Sequence, residues 1–354
     1  MGLRDEILEQ PDAARRQLAS SQPAIEALAT RLRAEGVESV VIAARGSSDH
    51  AAIYGQYVLG VRNRLTVGLA APSIVSLYGV EPRLHHALVI GISQSGASPD
   101  IVGVVAAARR HGAPTLAMTN DTSSPLAATA EYVVDLAAGQ ERSIAATKTY
   151  TASLLALARL SVELGADDDE RATPVRAALD RSALAAIPDA IAAALGAEDA
   201  AAAAARELAE MDRCVVLGRG FEYATAREWA LKLKELAQVL ADPYSSADFL
   251  HGPIALASSA VAALAVVPDG PAASGIAHVL DEVREAGSPT LVLSEREDHR
   301  TAASIAIPLP PDVPEWLRPM TSIVPAQLFA YHLTLAKGLD PERPRNLSKV
   351  TRTV

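Results

Sequence analysis

"VVIAARGSSDHAAIYG" at residues 40–55 and "CVVLGRGFEYATAREW" at residues 214–229 read as one piece of chain written twice. Arg45-Gly46 falls on Arg219-Gly220, an offset of 220 − 46 = 174. A second pair, "RRHGAPTLAMTN" (109–120) and "REAGSPTLVLSE" (284–295), places Gly112 on Gly287 at an offset of 287 − 112 = 175. Two separate matches at nearly one offset identify an internal duplication.

Each copy alternates strand, helix, strand, helix, strand. In the first, "SVVIAA", "ALVIGI" and "PTLAMT" are short apolar runs, and "SPDIVGVVAAARRHG" has helical spacing that stops at Gly112. The second repeats the pattern with "RCVVLG", "AALAVV" and "PTLVLS". Such alternation predicts an α/β protein with a parallel sheet in each copy and helices on both faces. The domain reading is an N-terminal helical segment at 1–27, a first domain at 28–165 and a linker or helix at 166–195. A second domain follows at 196–340, and a tail at 341–354. "LGADDDERATPVRAALD" marks the linker, and the Ala-rich stretch after it is a strong helix former.

Composition narrows the function. The chain has 354 residues, with 32 Lys+Arg against 42 Asp+Glu and a net charge of −10, which argues against nucleic acid or an acidic membrane as its main partner. Cys214, alone in an apolar run, excludes a disulfide framework and a multi-cysteine metal site. No run of apolar residues is long enough to span a bilayer, and the charged N-terminus lacks a signal-peptide core. The expectation is a soluble, cytoplasmic protein with no membrane partner, no metal and no cofactor.

In open α/β sheets ligands sit beyond the carboxyl ends of the strands. There the first copy places "RGSSDH" and "SQSGAS", so Ser47 and Ser48 stand beside Ser93, Gln94, Ser95 and Ser98. Neutral donors at helix starts suit an anion. No nucleotide-binding glycine pattern accompanies them, and a single phosphate held without metal fits better. The second copy has "RGFEYA" and "PDGPAA" at the same points, where Pro268 lacks an N–H to donate. One anion site per chain is expected. "REWALKLKELAQVL" (227–240) reads as a helix with a core stripe of Trp229, Leu233, Leu236 and Leu240. It puts Lys232 and Glu235 three apart on a shared face, with Lys234 directed elsewhere.

The ordered set "ARGSSDHA", "GISQSGASPD", "AATKTY", "LGRG…EWALKLKEL" and "HGP" resembles the double sugar-isomerase (SIS) domain family. More closely, it is similar to the isomerase half of glucosamine-6-phosphate synthase and to stand-alone glucosamine-6-phosphate deaminases. The resemblance runs from "EILEQP" to "RNLSKV". It implies two tandem flavodoxin-like SIS domains and a hexose 6-phosphate or amino-sugar phosphate substrate. Its phosphate would rest on Ser48, Ser93, Gln94, Ser95 and Ser98. Gly46, Ser47, Ala146 and Thr147 would make further contacts, with Thr147 mattering more than Lys148.

On the same resemblance, Glu235 is the base that moves a proton between C1 and C2, and Lys232 steadies the charge that develops on oxygen. His251 opens the sugar ring from a neighbouring subunit, which implies a homodimer. Lys349, in a tail that would close as a lid, forms a Schiff base with the ketose. Ala97, Asp248 and Leu250 depart from the synthase pattern. A synthase's glutaminase half would open with a cysteine at position 2, where this chain has Gly2.

The leading expectation is therefore deamination of glucosamine 6-phosphate to fructose 6-phosphate and ammonia. A fructosamine-6-phosphate deglycase or a glutaminase-less aminotransferase or isomerase is the alternative enzyme. A sugar-phosphate-sensing regulator is the alternative of another class. Glu235, His251 and Lys349 together weigh against the sensor, and the hydroxyl clusters weigh against a scaffold.

Overall fold

The computed structural model describes residues 2–20, 23–84, 86–165 and 174–349. The charge run expected in the linker, at 166–173, and the tail beyond Lys349 lie outside the described residues. By compactness the described chain divides into two units. One takes residues 12–141 and 148–186; the other takes 2–11, 142–147 and 187–349.

In the first unit the strands are β1 (Ser39–Ala43), β2 (Thr66–Leu69), β3 (Ala87–Ile92), β4 (Thr115–Thr119) and β5 (Tyr132–Asp135). They pair in the order β2-β1-β3-β4-β5, all parallel. Every residue of β3 and β4 is buried, as a strand covered on both faces requires. Helices Pro23–Glu35, Ser47–Asn63 and Lys148–Leu164 pack together on one face. Ser73–Ser76, Pro99–Arg110 and Pro125–Thr129 cover the other.

The second unit has β6 (Arg213–Gly218), β7 (Leu240–Ser245), β8 (Ala262–Val266), β9 (Thr290–Ser294) and β10 (Ile305–Pro308). Their order, β7-β6-β8-β9-β10, is the same winding again. It is the flavodoxin-like order, in which the crevice beside the first strand is the natural ligand position. Helix Glu222–Ala237 packs against Pro319–Ala336, which also meets Glu198–Glu207. The duplication extends to backbone torsion: Gly46 and Gly220 have φ of +55° and +63°, and Gly112 and Gly287 have +77° and +86°.

Two expectations need correction. Each sheet has five strands where three are legible in the sequence, because the edge strands are short, partly polar and broken by Gly68, Pro243 or Pro308. The helix expected over 227–240 begins at Glu222 and ends at Ala237. Gln238 closes it in the left-handed region (φ +56°), and Val239 donates its N–H back to the Leu233 carbonyl at 3.2 Å. Leu240 therefore opens β7 and is 76% exposed, so the core stripe stops at Trp229, Leu233 and Leu236. Among the described residues no helix is long and apolar enough to cross a membrane. Nor does any group of three or more His, Cys, Asp or Glu among them hold metal-binding geometry.

Candidate active site

The first unit builds a cradle of hydroxyls at two neighbouring strand exits. After β1 the chain turns at Gly46 and opens helix Ser47–Asn63 with Ser47 and Ser48. After β3 it runs through Ser93-Gln94-Ser95-Gly96-Ala97 to Ser98, which caps helix Pro99–Arg110. The second loop is strapped down by its backbone: Asn120 N–H donates to Gln94 O at 3.1 Å, and Leu126 N–H to Gly96 O at 3.0 Å. Gly96 is required twice over, since its φ is +59° and a Cβ there would overlap the Ser124 side chain.

Inside this loop the Ser93 hydroxyl accepts from Gly96 N–H at 3.2 Å and the Ser95 hydroxyl from Ala97 N–H at 3.3 Å. A hydroxyl that accepts in this way still has its own proton to give. Ser48, Gln94 and Ser98 make no side-chain hydrogen bond among the described residues, and Ser98 caps its helix without using its hydroxyl. The result is a rigid turn with unused donors at two helix starts, the electrostatic setting an anion favours. Arg45 adds positive charge: its Nε donates to the buried Asp100 carboxylate at 2.9 Å, while half of its side chain stays exposed. The sequence marks Arg45 only as part of the repeat and does not mark Asp100, although RG-SS followed by P-D at the next helix start is the available signal for placing both at the site.

The second unit holds the ionisable groups. Helix Glu222–Ala237 carries Glu228, Lys232 and Glu235 at i, i+4 and i+7, one face of a helix. The Lys232 ammonium lies 2.5 Å from Glu235 and 3.3 Å from Glu228. Glu228 and Lys232 are fully buried, whereas the Glu235 side chain keeps 21% of its surface. Burial alone would lower the Lys232 pKa; the two carboxylates outweigh it and hold the ammonium above the usual lysine range. Lys234, as expected, faces solvent. Glu228 was missed, and the E-xxx-K-xx-E spacing could have found it.

The loop of residues 142–147, with Ala146 and a buried Thr147, belongs to this second unit. The Lys349 ammonium donates to its Ser143 carbonyl at 2.7 Å. Lys148, just beyond the loop, is buried in the first unit and donates to Gln140 O at 2.7 Å, a structural contact. His251 ends the short helix Ser246–Leu250, is exposed, and is joined to Lys232, Glu235 or Lys349 by no hydrogen bond or ion pair. Asp248 lends its carbonyl to His251 N–H at 3.0 Å, and Leu250 is 41% exposed.

At the matching exits of the second sheet the hydroxyls are gone. After β6, position 48 + 174 = 222 carries Glu222 in place of Ser48, and one strand beyond the cradle's counterpart, after β9, 120 + 175 = 295 carries Glu295 in place of Asn120. Glu222 is buried and accepts from Thr225 Oγ1 at 2.5 Å and Ser322 Oγ at 2.8 Å; burial pushes its pKa up to about 7, against those two hydrogen bonds. Glu295 accepts from Asp269 N–H at 2.6 Å and pairs with the buried Arg318 at 2.7 Å. These positions are filled by the chain's own carboxylates.

Fold and loops together define a tandem-duplicated, doubly wound α/β protein with a hydroxyl cradle in one copy and a helix with a close Lys–Glu contact in the other. The chain belongs to the SIS domain family, whose model matches residues 35–162 and 207–337. It is 31% identical over 349 residues to the isomerizing glutamine–fructose-6-phosphate aminotransferase of Thermococcus kodakarensis, covering 97% of this chain and 56% of the relative. The Pyrobaculum aerophilum enzyme of the same name is 34% identical over 356 residues, with the same coverage. The chain thus spans about half the length of the curated relatives it matches.

Among solved structures, one from Silicibacter pomeroyi DSS-3, whose description names a phosphosugar isomerase, is 32% identical at a TM-score of 0.82. The match covers 96% of this chain and 99% of that one. The glucosamine-6-phosphate deaminase of Thermotoga maritima shares the fold alone, at 20% identity and a TM-score of 0.73 over 99% of each chain.

Proposed function

We propose that the chain is a sugar-phosphate isomerase that moves a proton between C1 and C2 of an open-chain hexose 6-phosphate. Glucosamine 6-phosphate is the proposed substrate, and water completes its conversion to fructose 6-phosphate and ammonia. The observation that carries this reading is the Lys232–Glu235 contact on a helix where Glu235 alone of the charged trio reaches the surface. In the proposed step Glu235 takes the C2 proton of the open-chain amino aldose and returns it at C1. The C2 imine that results adds water and releases ammonia. Lys232 offsets the negative charge on oxygen as the enol-like state forms. The phosphate is assigned to Ser48, Ser93, Gln94, Ser95 and Ser98, with Gly46, Ser47, Ala146 and Thr147 as further contacts.

The reading gives ring opening to His251 supplied by a second copy, and gives Lys349 the Schiff base that a ketose 6-phosphate can form with an amine. The test is to incubate the purified protein with glucosamine 6-phosphate and measure ammonia and fructose 6-phosphate together, with Glu235→Gln as the control. Equimolar products from the parent, and none from the variant, are the expected result. Exchange of solvent deuterium into separately added fructose 6-phosphate, with no ammonia released from glucosamine 6-phosphate, would leave the isomerase and remove the deaminase. Turnover of a glycated amino acid 6-phosphate in its place would make the protein a deglycase. Binding of the sugar phosphate with neither exchange nor turnover would leave a sensor. Mixing Glu235→Gln with His251→Ala chains tests the shared site, since regained activity requires two copies.

A further inference from the structure

The N-terminal helix Leu3–Leu8 buries a carboxylate that no step of the proposed reaction uses. Glu6 is fully buried, yet it pairs with no cation among the described residues. Its carboxylate instead accepts backbone N–H groups of Arg142 at 2.5 Å and Ser143 at 3.2 Å. A carboxylate is expensive to bury and accepts charge-assisted hydrogen bonds about twice as strong as neutral ones. Two adjacent amides turned toward one carboxylate therefore fix the start of the loop 142–147. That loop carries Ala146 and Thr147, and its Ser143 carbonyl receives the Lys349 ammonium at 2.7 Å. The same Ser143 holds Glu6 through its N–H and Lys349 through its C=O.

We infer that Glu6 is a positioning residue: it clamps the loop by its amides and thereby presents the carbonyl that seats the tail lysine. The helix itself is tied in place, since Leu3 N–H donates to Glu342 at 2.7 Å and Arg4 pairs with Glu198 at 2.7 Å. Thus a segment more than a hundred residues away in sequence sets the geometry of the loop that greets the substrate. The functional half of the inference rests on the reading of Lys349 proposed above; the clamp itself does not.

The test uses the full chain with Glu6→Gln and Glu6→Ala. Gln keeps one acceptor oxygen and Ala keeps none. Hydrogen exchange at the Arg142 and Ser143 amides should accelerate modestly in Gln and at least about tenfold in Ala, with the β3 and β8 amides unchanged. Cyanoborohydride trapping of fructose 6-phosphate on Lys349, read by peptide mass, should fall in the same order, as should kcat, with partial rescue by Gln. Unchanged amide exchange in a folded Glu6→Ala chain would overturn the clamp. Lost protection with undiminished trapping would overturn its role for Lys349. If the parent neither traps sugar nor turns it over, the reading of function fails while the exchange result still decides the clamp. If Ala does not fold, the Gln and parent exchange rates decide it, equal rates overturning the inference.

Discussion

Lys232 sits between two carboxylates of its own helix, 2.5 Å from Glu235 and 3.3 Å from Glu228. The two are not equivalent, because only Glu235 keeps contact with the surface. When Glu235 takes a proton, Glu228 still balances the buried ammonium. Glu228→Gln should therefore move the acid limb of the pH–rate profile down by about one pH unit, since the Lys232 charge then bears undivided on Glu235. It should also lower kcat roughly three- to tenfold. Glu228→Asp should restore both in part. An unmoved limb in a folded, active Gln variant would show that Glu228 only fills space.

The same trio predicts a stability pattern. Lys232→Met removes the buried cation that balances Glu228 and should cost about 3–5 kcal/mol in urea unfolding. The double variant Glu228→Gln/Lys232→Met should recover most of that loss. Additive losses in the double-mutant cycle would contradict the pairing.

Glu222 predicts a pH dependence of opposite sign to that of an ordinary paired acid. Its pKa is raised from 4.5 to about 7, so between those values the folded chain holds a proton that the unfolded chain releases. The stability it contributes is whole below pH 4.5 and lost as the pH rises through 7. With 7 − 4.5 = 2.5, the total is about 3 kcal/mol. Glu222→Gln should flatten the fall of Tm across pH 4.5–7, and an unchanged slope would locate the dependence elsewhere.

The cradle loop separates two kinds of glycine. Gly46→Ala meets open space but must hold φ +55° with ψ −131°, a combination that only glycine adopts readily, and should cost about 1–3 kcal/mol. Gly96→Ala must also push Ser124 aside and should weaken sugar-phosphate binding by more than the Gly46 change. In the proposed phosphate site Ser95→Ala would remove one donor to the charged ligand, worth about 1.5–3 kcal/mol, and should raise KM about ten- to a hundredfold with a smaller change in kcat. Substrate titrations of the three variants rank these effects.

The buried strands and the duplication were legible because continuous apolar runs and repeated Arg-Gly turns are local signals. β2 and β7 were not, since an edge strand needs only one partner and tolerates Gly68 or Pro243. Leu240 misled because apolar spacing continued one step past Ala237, while Gln238 had already left the helix through a left-handed cap. In the site, Lys232 and Glu235 lie three residues apart and could be paired by counting. Glu6 meets Ser143 across more than a hundred residues, and no periodicity announces a contact made by backbone amides.

Glu222 stands where the other copy has Ser48, hydrogen-bonded by two hydroxyls and buried from water. The second sheet thus fills its guest's place with a carboxyl group of the host. Ancestry gave both halves the same doorway, but one has been bricked up from inside with carboxylates. Restoring a serine at 222 would reopen only a corner, since Glu295 and Arg318 remain locked together behind it.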